Sequence, residues 1–109
     1  MQAEDEKLVT LARATRVRTG AAEGAAVRDL DGRTYAAATV DLPSLKVSAL
    51  GVCIAMAVAG GAAGVEAAVV LNEGAFLEDE LDALREFAGP GVPVHHGGPN
   101  GTIGDTHST

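Results

Sequence analysis

Nineteen consecutive residues, Val47 to Val65, carry no charge. A run of that length must be covered, either by the rest of the chain or by lipid. Six of the nineteen are Ala and four are Gly, which contribute little transfer energy beside Leu or Ile. Lys46 and Glu66 bracket the run, and no interfacial Trp or Tyr anchors it. It therefore reads as a buried helix from Leu45 to about Ala59, ended by Gly60-Gly61, and no membrane span is expected. Asp41-Leu42-Pro43-Ser44 leads into it, with Ser44 the expected N-cap.

The other segments arrange themselves around that helix. From Glu4 to about Val17, Leu8, Leu11, Ala12 and Thr15 recur at helical spacing, with acidic residues in the first turn and Gly20 as the stop. Gly24 to Asp29 and Arg33 to Val40 flank Asp31-Gly32, a strong hairpin signal. Val65 to Leu71 is a β-branched run suited to an interior strand. Glu78 to Phe87 returns to helical spacing, with Leu77, Leu81, Leu84 and Phe87 on one face and the solvated acidic residues Glu78, Asp79, Asp82 and Glu86 elsewhere. Val92-Pro93-Val94-His95 fits an edge strand, where Pro is tolerated. The order α-β-β-α-β-α-β implies an α/β fold, a three-layer α-β-α arrangement with a mixed sheet. Residues 1–96 form the expected domain. Residues 97–109, rich in Gly, Thr, Ser and Asn with Ile103 alone apolar, are expected to be a disordered tail.

Composition narrows the function. Hydrophobic residues make up 47% and aromatics only 3%, so the core is built of Ala, Val and Leu. The net charge is −7, and only Arg13, Arg16 and Arg18 cluster, which disfavours nucleic acid. Cys53 is the single cysteine, so no internal disulfide forms. The acidic start, with no short apolar region after it, does not resemble a signal peptide, and a cytoplasmic location is expected.

Three stretches carry a resemblance: Gly24-Ala25-Ala26-Val27, Asp31-Gly32-Arg33-Thr34-Tyr35 and Thr39-Val40-Asp41, leading into the apolar helix. Without a gap they resemble the opening of the cytidine deaminase family, V-G-A-A-L-x-x-x-D-G-x-x-Y/F-x-G-x-N-x-E-N. The resemblance is sharp over Gly24 to Asp41 and extends by order of elements from Leu8 to Val94. It implies a cytidine deaminase-like three-layer fold and self-association as a dimer or tetramer.

In that family a zinc ion acidifies a bound water and a glutamate shuttles protons. Carried over by position, the resemblance puts the first zinc ligand on Leu50 and the catalytic glutamate on Val52. The later Cys-x-x-Cys pair falls on Leu77 and Glu80, with its preceding proline on Phe76. Sliding the register to place Cys53 at the first ligand puts Ala55 at the glutamate. Three thiolates cannot come from one cysteine, so no catalytic residue, no metal ligand and no zinc cofactor are expected. Among substrate contacts, the aromatic of F-x-V-G-A-A becomes Ala21, the ribose asparagine Thr39, and the sugar-binding glutamate Asp41. These three are vestigial positions that leave at most a weak nucleoside ligand.

The remaining signals are bland. His95, His96 and His107 read as solvent-exposed, and a metal on them as adventitious. The glycine clusters at residues 20–24 and 60–64 lack the lysine of a phosphate loop. The leading expectation is an inactive, self-associating homologue with a structural or regulatory role. The alternatives are an active cytidine deaminase, or a nucleoside-binding module without turnover.

Overall fold

The computed structural model describes residues 1–76 and 78–109. Helix α1 spans Ala3–Thr19 and stops at Gly20, whose left-handed φ of 67° lets its N–H donate to the Arg16 carbonyl. Its buried stripe is Asp5, Leu8, Ala12 and Thr15. Strands β1 (Gly24–Asp29) and β2 (Thr34–Ala38) form the hairpin expected around Asp31-Gly32. A Cβ on Gly24 would lie 2.2 Å from the Ala12 carbonyl oxygen, so α1 rests on β1 at a spacing only glycine permits.

The next segment departs from expectation. Val40–Leu42 (β3) and Leu45–Val47 (β4) pair antiparallel around Pro43-Ser44, with Asp41 opposite Lys46. The helix expected from Leu45 therefore starts four residues later, as α2 (Ala49–Ala59). Its N-cap is Ser48, whose hydroxyl accepts from the Gly51 N–H, and not Ser44. The local reason is the β-branched pair Val40 and Val47 with an opposite-charge cross-strand pair between them.

Strand β5 (Val65–Leu71) matches its expected bounds. Glu78–Glu80 form a 3₁₀ turn, so α3 covers only Leu81–Ala88, burying Leu81 and Leu84. Strand β6 (Pro93–Gly97) lies between β5, to which it is parallel, and β7 (Ile103–Ser108), to which it is antiparallel. It is an interior strand, not the expected edge. Pro93 is accommodated at its first position, as the rule for proline in sheets allows. The supposed tail forms β7. Its last residue is fastened too: the Thr109 hydroxyl donates to the Gly89 carbonyl at 2.7 Å and accepts from the Val92 N–H at 2.9 Å.

The five-stranded sheet runs β2-β1-β5-β6-β7. On one face α1 packs Leu8 and Ala12 against Ala26, Ala67, Val69 and Leu71. On the other, α2 and α3 pack Leu50, Cys53, Ile54, Leu81 and Leu84 against Ala25, Val27, Ala68, Val70 and Val94. Each fully buried Leu contributes about 1.5–3 kcal/mol. The three expected layers are present. Helix α2, expected to be covered all round, keeps Met56 and Val58 37% and 51% exposed in the single chain. Among the described residues, no helix is long and apolar enough to cross a membrane.

Candidate functional site

Strands β5 and β6 end side by side at Leu71 and Gly97, and β1, antiparallel to β5, begins there. Crevices at the carboxyl ends of parallel strands are the usual ligand positions in open α/β sheets. An open cleft of about 430 Å³ lies here, lined by Arg16, Ala22, Glu23, Thr39, Asn72, Glu73 and Gly74.

Glu23 organises this cleft. One carboxylate oxygen accepts from the Ala49 N–H at 3.3 Å, at the start of α2, where the helix dipole favours negative charge. The other accepts from the Asn72 side-chain amide at 3.2 Å. The Glu23 backbone N–H donates to the Thr39 hydroxyl at 2.8 Å. With its Nδ2 committed to Glu23, Asn72 turns its carbonyl oxygen to His96 Nε2, 2.7 Å away. His96 Nδ1 lies 3.2 Å from Asp105 Oδ1, and Asp105 Oδ2 lies 2.8 Å from His107 Nε2. A polar chain thus runs from the first amide of α2 across the strand ends to β7. Phe76 covers both of the last imidazoles, with ring centroids 5.4 Å from His96 and 4.5 Å from His107.

The start of α2 itself is apolar. Leu50 is 1% exposed within the core cluster, and Val52 is half-buried against the same cluster. Neither side chain offers a ligand atom or a proton. Cys53 is buried, its thiol 3.6 Å from the Tyr35 carbonyl, and burial pushes its pKa up to about 12. A neutral thiol is neither a ligand nor a nucleophile.

Of the vestigial contact positions, the structure brings only Thr39 to the cleft lining. Ala21 is half-buried in the turn before β1. Asp41 is exposed on β3 and paired with Lys46. Glu80 lies in the 3₁₀ turn, and Leu77 falls outside the described residues. The histidines overturn their expected exposure: His96 is only 9% exposed, and His95 is held by Asp5 and Thr106, each at 2.9 Å. Residue types alone missed Glu23, Asn72 and His96. A signal existed for the first, a carboxylate where the resembled opening writes valine.

A family model described as cytidine deaminase-like matches residues 1–101. The chain belongs to the cytidine deaminase-like family. Solved cytidine deaminase structures share its fold. Cytidine deaminase from Mycobacterium leprae superposes with a TM-score of 0.76 at 18% identity, over 98% of this chain and 94% of that one. Cytidine deaminase from Burkholderia pseudomallei also gives 0.76, at 21% identity over 100% and 92%. No curated protein matches the sequence. The three-layer mixed-sheet architecture read from the order of elements is the architecture of this family.

Proposed function

We propose that this member of the cytidine deaminase-like family has no hydrolytic turnover and serves a structural or regulatory role as a homo-oligomer in the cytoplasm. Family membership supplies the alternative, hydrolytic deamination of cytidine. The observation that carries the proposal is Leu50, sealed in the apolar core where the family pattern puts its first zinc ligand. The residues at the start of α2 do not fit a zinc ion. Two of the amides there are already bonded, to Ser48 and Glu23, and the nearby thiol is protonated. Self-association is supported by the apolar outer side of α2 and by Leu42 and Leu45 on the β3–β4 hairpin, 55% and 52% exposed.

The test is ammonia release from cytidine and deoxycytidine with added Zn²⁺, alongside light scattering. The proposal expects no turnover above background and a mass of two or four chains. Turnover that depends on zinc would replace it with the deaminase reading, and a clean 10.9 kDa monomer would remove the oligomeric part.

The cleft favours a second reading, nucleoside binding without turnover. Glu23, Thr39 and Asn72 present polar atoms around a space of about 430 Å³, and Arg16 lines its rim. Calorimetry with cytidine and uridine checks it; no heat at millimolar ligand would remove it.

A further inference from the structure

The pairing of β6 with β7 sets His96 directly opposite Asp105. Side chains alternate along a strand, so His107, two residues beyond Asp105, shares the same face. The three offer one ligand atom each, all within 4.8 Å of one another.

Two features of the arrangement suit a cation between them. First, Asn72 fixes the tautomer of His96. Its amide nitrogen faces Glu23, so its oxygen must accept from His96 Nε2–H. In the neutral ring, Nδ1 then carries a lone pair pointing at a carboxylate oxygen 3.2 Å away. Two facing acceptors repel unless a proton or a metal ion lies between them. Second, His107 Nε2 is buried without a hydrogen bond; its neighbour Asp105 Oδ2, 2.8 Å away, is off the direction an N–H would need. The far side of the His96 ring is oriented by Asn72, and the Glu78 carboxylate lies 3.6 Å from His107 Nδ1, near it but beyond hydrogen-bond distance. For His96, a hydrogen-bond acceptor behind the imidazole is the usual second shell of a metal-bound histidine.

We infer that His96 Nδ1, the Asp105 carboxylate and His107 Nε2 form a binding site for a divalent transition-metal ion of the zinc class. Nitrogen and oxygen ligands at about 2.0–2.1 Å from a tetrahedral ion stand roughly 3.3 Å apart, close to the His96–Asp105 separation of 3.2 Å, whereas the His107–Asp105 separation of 2.8 Å has to open as the ion enters. Two imidazoles and one carboxylate suit Zn²⁺, Co²⁺ or Ni²⁺ better than Ca²⁺ or Mg²⁺. Asp105, 53% exposed, can adjust toward the ion while His96 stays fixed. Three protein ligands leave a fourth position open. Its ligands are not the residues at the family's ligand positions, Leu50, Leu77 and Glu80; they lie on strands instead of helix starts, and the inference does not depend on the functional reading above.

The test is calorimetric titration of the full chain with Zn²⁺, and with Co²⁺ followed by its visible absorption. The wild type should take one equivalent. Asp105→Asn and His107→Gln, which alter an exposed and a partly exposed side chain, should each weaken binding by at least about 10-fold while circular dichroism stays unchanged. Asp82→Asn, on the exposed face of α3, should bind as the wild type does. Absence of stoichiometric binding by the folded wild type would overturn the inference. Binding unaltered in both ligand variants would overturn it too, by placing the ion on the acidic surface.

Discussion

Two regions on the same face of the sheet treat polarity in opposite ways. At the start of α2, where the family pattern calls for a metal ligand and a proton shuttle, Leu50 and Val52 stand in apolar packing and Cys53 is a neutral thiol. At the β6–β7 pair, two imidazoles and a carboxylate are gathered under Phe76. Buried polar groups cost free energy unless they find partners. The first region has removed them. The second keeps them, which makes sense when a positive centre completes the set.

The largest effect expected from disturbing this contrast is at Leu50. Leu50→Ala should cost about 3 kcal/mol, within the usual 2–5 for a buried leucine, read from urea denaturation. A loss below about 1 kcal/mol would mean that this position is not packed core.

Asn72→Ala comes next, because it unlinks the two regions. It strands Glu23 on one side and frees the His96 ring on the other, and should cost about 1–2 kcal/mol. Zn²⁺ affinity should fall with it by roughly 10-fold or more. A variant that loses stability but binds the ion unchanged would separate the regions.

Asp29 is a third polar group on this face, buried but fully partnered. Burial alone would raise its carboxyl. The Tyr35 hydroxyl at 2.8 Å and the N–H groups of Arg33 and Asp31 instead hold it below the ordinary range. A lowered folded value means that its contribution is complete above the unfolded value of about 3.9 and is lost as pH falls through the folded one. Asp29→Asn should therefore melt lower than wild type at pH 7, with the two curves converging below about pH 4. Parallel melting curves down to pH 2.5 would show no such coupling.

The smallest effect is chemical. With its thiol pushed up to about 12, Cys53 should react with a thiol reagent at neutral pH only after unfolding, and rapid labelling of the native protein would contradict its burial.

Much of the frame was legible in the residues. The Leu8–Ala12–Thr15 stripe, the Asp31-Gly32 turn and the Val65–Leu71 run each carry a period or a turn chemistry that acts locally. Leu45 to Val47 misled because a short apolar segment serves helix and strand equally well, and cross-strand pairing with Val40–Leu42 decided it. Strand β7 was invisible to composition because an edge strand joins through backbone hydrogen bonds, which Thr, Asp and Ser supply as well as Val does. The site was the least legible part. Residues 23, 72 and 96 are far apart in sequence, and only the order β1-β5-β6-β7 brings them into one line with Asp105 and His107.

Where this chain holds a metal can be read from zinc-edge anomalous diffraction of crystals soaked in Zn²⁺. Density is expected between His96, Asp105 and His107 and none beside Leu50. A tetrahedrally held ion at the amino ends of α2 and α3 would contradict that.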